Sequence, residues 1–161
     1  MSGIDKNQAV IDYIIQCPTI LNSPLYFNFI NAEDDTNQFV TQTSERYASR
    51  QYVDGTILKI YSFQIISYKS ATDIAVVKLD GYPNENVTDM DAMQALIDWI
   101  REQDELHNYP NFGEDCIIDS ITTTTENPSF DGIDDQVSPP LAVYSVTIEI
   151  QYLDISKKLW R

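Results

Sequence analysis

The clearest pattern of apolar and polar positions lies between residues 87 and 103. Apolar side chains recur there at the spacing of one helical face: Met93, Leu96, Ile97 and Ile100. Thr88 suits the N-cap, because its hydroxyl can accept a hydrogen bond from a first-turn N–H group. The chain leaves through Asn108-Tyr109-Pro110, where proline cannot continue a helix. The pattern predicts an amphipathic helix over 87–103, and its apolar face needs a sheet or a second helix to cover it.

The first part of the chain predicts another helix and two strands. The helix is predicted over residues 4–16, with Ser2 or Asp5 as its cap. Its apolar stripe consists of Val10, Ile11, Ile14 and Ile15. Residues 25–30 are aromatic and branched, which is typical of a strand buried on both faces. Phe39 to Thr43 suits a short strand.

The strongest strand pattern of the first half follows the Asp54-Gly55 turn signal. Residues 56–70 carry apolar side chains at both odd and even positions, so we expect a central strand with both faces partly covered. For residues 44–53 the sequence pattern predicts neither a helix nor a strand. For 70–86, a short strand and a helical turn remain alternatives.

The second half predicts a β-hairpin. Residues 116–125 are rich in branched side chains, and 142–152 alternate, with these even-numbered apolar residues on one face: Tyr144, Val146, Ile148, Ile150 and Tyr152. We expect the two strands to pair in antiparallel fashion, with the even-numbered face under the stripe of the 87–103 helix. The Pro-, Gly- and Asp-rich residues 126–140 predict an exposed loop.

The order of these elements predicts an α+β fold, with an antiparallel or mixed sheet, helices mainly on one face and a terminal hairpin. With 161 residues, 43% of them apolar, the chain is long enough for one domain with a substantial core. We expect that domain over 1–153, followed by a C-terminal tail at 154–161. No basic leader and no apolar run near the roughly 20 residues of a membrane span occur, so we expect a soluble protein made in the cytosol.

The acidic net charge of the chain bears on which partners we expect. Ten basic against 25 acidic residues give a formal net charge of −15, the opposite of a nucleic-acid binder. Acidity can simply maintain solubility. It also suits a surface past which DNA slides without sticking.

Candidate chemistry is sparse. His107 is the only histidine, and Cys17 and Cys116 stand far apart without a metal-binding spacing, so we interpret them as structural residues. The acidic clusters 33–35 and 131–135 lack the calcium-loop spacing and favour solvated loops over a cation site. We predict no catalytic, cofactor or metal site.

Aromatic and basic side chains mark candidate interfaces instead. Trp99 lies beside the helical stripe, where the core edge and an interface anchor are the alternatives. The C-terminal tail carries Trp160 among basic residues, with no partner visible within the domain; we expect Trp160 to find a partner, within its own chain or in a neighbour, and a frayed terminus is the alternative. The candidate interface residues are Trp160, Lys157, Lys158, Arg161, Trp99 and Phe130.

Several motifs occur in a distinctive order. Tyr52-Val53-Asp54-Gly55-Thr56 precedes the strand Lys59 to Phe63, then come the helix Ala95 to Gln103, Asn108-Tyr109-Pro110 and the terminal strand Tyr144 to Tyr152. This set resembles the minor capsid or tail-terminator (tail-completion) family of tailed bacteriophages, over about two thirds of the chain. The 126–140 segment and the tail depart from the family's pattern.

The resemblance implies a virion protein of the head-proximal end of a phage tail, assembled in the host cytoplasm. It implies a hexameric ring that ends tail-tube growth and offers a docking surface for the head, with tail-tube and head-completion or connector proteins as partners. DNA would pass through the lumen without specific binding, and catalysis, cofactors, metals and membranes would play no part. The alternatives are a neck, adaptor or tube-capping module of a contractile particle, a small acidic binding module, and a hydrolase that uses the acidic clusters.

Overall fold

The computed structural model describes residues 5–18, 25–27, 36–41, 46–70, 85–134 and 141–159. These residues form two helices, α1 (Lys6–Ile14) and α2 (Glu85–Glu105). They also form seven strands: β1 (Leu25–Phe27), β2 (Thr36–Thr41), β3 (Arg46–Gln51), β4 (Ile57–Ser70), β5 (Cys116–Thr123), β6 (Ser129–Asp134) and β7 (Leu141–Asp154).

Two strands of 14 residues, β4 and β7, form the middle of one mixed sheet. They pair in antiparallel fashion over their whole length, from Ile57 opposite Asp154 to Ser70 opposite Leu141. Strands β2 and β3 follow one another along the outer side of β4, and β5 and β6 do the same along β7. Strand β1 adds to β2 in parallel. The predicted central strand is confirmed as β4.

The core lies between one face of this sheet and both helices. Alternate residues of β4 and the even-numbered residues of β7 share that face, because side chains of a strand alternate between its two faces. The predicted stripe of α2 is 0–1% exposed and belongs to the same cluster. The expected α+β fold is thereby confirmed, as are the antiparallel pairing of β5 with β7 and the buried even-numbered face of β7.

The two helices agree with the sequence prediction in the cap of α1 and differ from it in the buried stripe of α1 and in the first residue of α2. Asp5 caps α1, as expected, with its carboxylate accepting the backbone N–H groups of Asn7 and Gln8. The buried stripe of α1 differs from the predicted one, because Tyr13 is buried and Ile15 is exposed. It consists of Val10, Tyr13, Ile14 and Cys17. Helix α2 begins at Glu85, so Thr88 lies inside it and is not its cap.

Helix α2 ends in a Schellman motif. The N–H of Asn108 donates to the carbonyl of Gln103 at 2.9 Å, and that of His107 donates to the carbonyl of Asp104 at 3.1 Å. His107 itself has a φ of 53°, the left-handed conformation in which glycine is usually found. The only histidine of the sequence therefore has a structural position, at the exit of the helix.

The expectation of a loop over 126–140 is wrong for residues 129–134. They form β6, which pairs with the first half of β7, with a register shift between Phe130 and Gly132. The physical reason is that this half of β7 needs a partner for its backbone groups, and that need overrides a turn-like composition. Residues 131–134 of one acidic cluster thus belong to a strand.

Several expectations concern residues outside the described ranges. These include the second acidic cluster at 33–35, the 71–84 part of the ambiguous segment, and 135–140. Of the segment left open at 44–53, residues 46–51 form β3. Residues 25–27 of the strand expected at 25–30 form β1, while the burial predicted for that strand lies outside the described side chains.

Candidate functional site

The C-terminal residues 155–159, here called the tail segment, fold back onto their own domain. The N–H of Leu159 donates to the carbonyl of Asp54 at 2.6 Å, and that of Ile155 donates to the carbonyl of Asp115 at 2.8 Å. The sequence indicates no such partner for these residues, and the structure supplies one because their backbone N–H groups donate to carbonyls of two turns. Trp160 and Arg161 lie outside the described residues.

The turn that receives the tail segment is built around Gly55. The N–H of Gly55 donates to the carbonyl of Tyr52 at 3.0 Å, and the turn places Gly55 at φ of 90°. A Cβ atom at this position would lie 2.2 Å from the carbonyl oxygen of Lys157. Glycine is therefore required twice here, for the left-handed conformation and for the close approach of the tail backbone.

A carboxylate fixes the start of the tail segment. Asp154 pairs with Lys59 at 2.8 Å and accepts both the N–H (3.0 Å) and the hydroxyl (2.6 Å) of Ser156. Burial raises the pKa of Asp154, but the bonds from Lys59 and Ser156 and the charge of Lys59 outweigh burial and lower that pKa from 3.8 to about 2. The tail segment therefore starts from an ionised, fully bonded group.

A second carboxylate lies at the far end of the tail segment. Asp54 accepts the N–H of Thr56 at 3.0 Å, and its other oxygen lies 3.9 Å from the ammonium of Lys158. The bond from Thr56 is the main cause of a lowered pKa of Asp54. This pair is partly solvent-exposed, so its role is orientation more than stability.

The turn and the tail segment together present an exposed apolar surface, here called the end patch: Tyr52, Val53 and Leu159. Val53 is 94% exposed and Leu159 is 71% exposed, although hydrogen bonds fix the backbone around both. At the same end of the sheet, on the face away from the helices, three aliphatic residues stand side by side on adjacent strands: Leu58, Leu153 and Ile117. A group of exposed apolar side chains on a hydrogen-bonded backbone is typical of an interaction site.

The structure brings some of the predicted interface residues together and separates others. Lys157 is exposed and Lys158 half-buried beside the end patch. Trp99 lies at the edge of the core, with its ring centre 5.2 Å from that of Tyr13. Phe130 is half-exposed on β6 and contacts the ring of Tyr144, near the opposite end of β7.

A polar network joins the end of α2 to β5. One carboxylate oxygen of Asp104 accepts the hydroxyl of Tyr109 at 2.8 Å and the backbone N–H of Ile121 at 3.0 Å. Burial and the Asp104 carboxylate raise the pKa of Tyr109 to about 12. Proton transfer at neutral pH is disfavoured by such a shift, so the arrangement is suited to holding structure rather than to acid–base chemistry.

The described ranges contain no group of three or more His, Cys, Asp or Glu side chains placed to hold a metal ion. Nor do they contain a helix with the length and apolar character needed to cross a membrane. The sequence matches no protein-family model and no curated protein.

The sequence could indicate half of this site. The basic tail and the Asp54-Gly55 turn are both visible as local patterns. Their contact is not visible, because no local signal links residues a hundred positions apart. Val53, the most exposed residue of the end patch, belongs to the Tyr52 to Thr56 motif, but nothing in the sequence indicates that its side chain is exposed.

Proposed function

We propose that the protein is a structural subunit of a homo-oligomeric ring at the head-proximal end of a phage tail, where it ends tube growth and offers a docking surface for the head. The observation that carries the proposal is the end patch, which joins exposed apolar side chains to a fixed backbone. The order of sequence motifs that resembles the tail-terminator family supports the specific place in the virion. The α+β fold agrees with what that resemblance implies.

The end patch has the properties of a surface made for a lasting contact. Its apolar residues would leave water on association, and its backbone is already ordered by the bonds to Asp54 and Asp115, which lowers the entropy cost of binding. Exposed Lys157 adds positive charge beside it, in a chain whose net charge is −15. This lysine is therefore attracted locally to an acidic surface of a second copy, against the general repulsion between two chains of the same net charge.

A contact between Lys157 beside the end patch of one copy and an acidic surface of the next is heterologous where the two copies do not reciprocate it. Heterologous contacts form rings when the rotation between subunits closes. The remaining acidic surface would then suit a lumen through which DNA passes, because phosphates are repelled rather than bound. The charge of the chain and its proposed position in the tail are consistent in this respect.

Native mass spectrometry over a wide range of concentration, combined with negative-stain imaging, tests the proposal. We expect closed rings of one size, and we expect Val53→Asp to shift assembly to higher concentration while the subunit stays folded. Thr124→Asp is the matched control, since it adds the same charge at an exposed position outside the end patch. A protein that stays monomeric at every concentration, alone and with tail tubes, would contradict the proposal.

A further inference from the structure

An open groove lies between the polar side of α1 and the loop that follows α2. Its volume is about 450 Å³. Residues 108–111 form one wall, and α1 with its cap forms the other: Asp5, Gln8, Ala9, Asp12, Tyr13 and Gln16. The hydroxyl of Tyr13 donates to the carbonyl of Asn108 at 2.8 Å, which fixes the two walls relative to one another.

The groove is acidic and partly aromatic. None of its lining residues is basic. Lys6, the basic residue next to Asp5, is directed elsewhere, with its ammonium 5.6 Å from the ring centre of Tyr152. Tyr13, Tyr109 and Pro110 supply apolar surface beneath the carboxylates. A lysine or arginine, with an apolar stem and a charged end, has the matching chemistry.

The carboxylates of the groove keep capacity for a cation. Asp5 uses one oxygen to cap α1, and Asp12 uses one oxygen to accept the side-chain amide of Gln8 at 2.8 Å. An ionised carboxylate has about four acceptor positions, so each has room for an ammonium or guanidinium group. The existing bonds also hold both groups in place.

We infer that this groove receives the basic C-terminal segment of a second copy of the chain. The inference rests on the proposed ring and identifies the acceptor surface of its contact. Three of the ten basic residues of the sequence, Lys157, Lys158 and Arg161, lie within its last five positions, so this segment has the densest positive charge that the chain offers to an acidic groove. Donor and acceptor are formed by different elements, so the contact can repeat from one copy to the next around a ring.

Charge reversal with rescue tests the pairing. Asp12→Lys and Lys157→Glu should each move ring assembly to roughly tenfold higher concentration or beyond, and the double variant should restore it, because the attraction is then re-formed with the charges exchanged. Asp98→Lys and Arg101→Glu are matched controls on the exposed side of α2 and should assemble normally. Single variants that assemble like the wild type, or a double variant without rescue, would overturn the inference.

Cross-linking separates contacts between copies from contacts within one copy. A zero-length carbodiimide should join Lys157 or Lys158 to Asp5 or Asp12 in a mixture of isotopically light and heavy protein. We expect light–heavy cross-linked peptides. Same-isotope products alone would place the tail in its own groove and overturn the inference. A wild-type ring that lacks this cross-link retains the proposed function but not this contact, whereas a wild type that never assembles removes both.

Discussion

At the scale of single residues, Asp154 shows how one carboxylate can hold a chain terminus. Its folded pKa of about 2 lies below the ordinary value of 3.8 because Lys59 and Ser156 stabilise the ionised form. The folded state therefore binds this proton more weakly than the unfolded state. The resulting stabilisation is complete above the unfolded pKa and is lost as pH falls from about 4 towards 2.

We predict that Asp154→Asn lowers the free energy of unfolding by about 2 kcal/mol at pH 7. The difference from the wild type should shrink as pH falls towards 2, since the wild-type carboxylate is then being protonated. Denaturant titrations at several pH values measure this. Asp98→Asn, at an exposed carboxylate of α2, is the control. A wild-type advantage that is the same at pH 7 and pH 2 would show that the ion pair is not its source.

His107 offers a second prediction at the residue scale. Its φ of 53° imposes a conformation that a side chain with a Cβ atom adopts at a cost. His107→Gly should raise the free energy of unfolding by up to about 1 kcal/mol, the relief of that cost net of the greater freedom of unfolded glycine. His107→Ala keeps the Cβ atom and should give no gain. Equal gains from both would assign the effect to the lost imidazole rather than to the backbone.

At the scale of elements, β5 poses the problem of a sheet edge. Among the described strands, β7 is its only neighbour, so its outer backbone groups are open to pairing with another chain. The Asp104 carboxylate takes the outward N–H of Ile121, and the hydroxyl of Tyr109 lies 3.4 Å from the carbonyl of Asp119. The end of α2 thus protects the middle of this edge.

We predict that Asp104→Ala speeds hydrogen exchange of the Ile121 amide by roughly tenfold to a hundredfold, the loss of one hydrogen bond to a charged group. Asp98→Ala, one and a half turns earlier on α2, should leave that amide unchanged. Exchange measured by NMR resolves the two cases. If the Ile121 amide exchanges at the wild-type rate in Asp104→Ala, the protection comes from elsewhere in the fold.

Elements with a strong period could be predicted from the sequence, whereas elements defined by their partners could not. The stripe of α2 and the even-numbered face of β7 follow from spacing alone, because burial of one face selects that spacing. Strand β6 could not be predicted, since it depends on the unpaired half of a strand formed later in the chain. The buried stripe of α1 likewise depends on the contact between Tyr13 and Trp99, which belong to helices far apart in the sequence.

At the scale of the whole molecule, charge distribution and fold meet at the C-terminus. A concentration of basic residues was visible in the sequence, but its attachment to the Gly55 turn was not. The tail segment is therefore both a part of the fold and a part of the proposed interface. Truncation tests the two roles separately, because the bonds described for the tail segment involve residues 155–159.

Two truncations make the final prediction. Deleting residues 160–161 keeps every bond of the tail segment described above, so the melting midpoint should stay unchanged while ring assembly weakens. Deleting 156–161 also removes the bonds from Ser156 to Asp154 and from Leu159 to Asp54, so the midpoint should fall by several degrees as well. Assembly of the wild type should be more sensitive to salt concentration than its stability is, because the contact between copies depends on exposed charges, and deleting 156–161 should reduce that sensitivity. Thermal melts and native mass spectrometry of the two proteins, side by side, measure both effects. Normal assembly of the shorter deletion would remove Trp160 and Arg161 from the interface, and normal assembly of both would remove the tail from it.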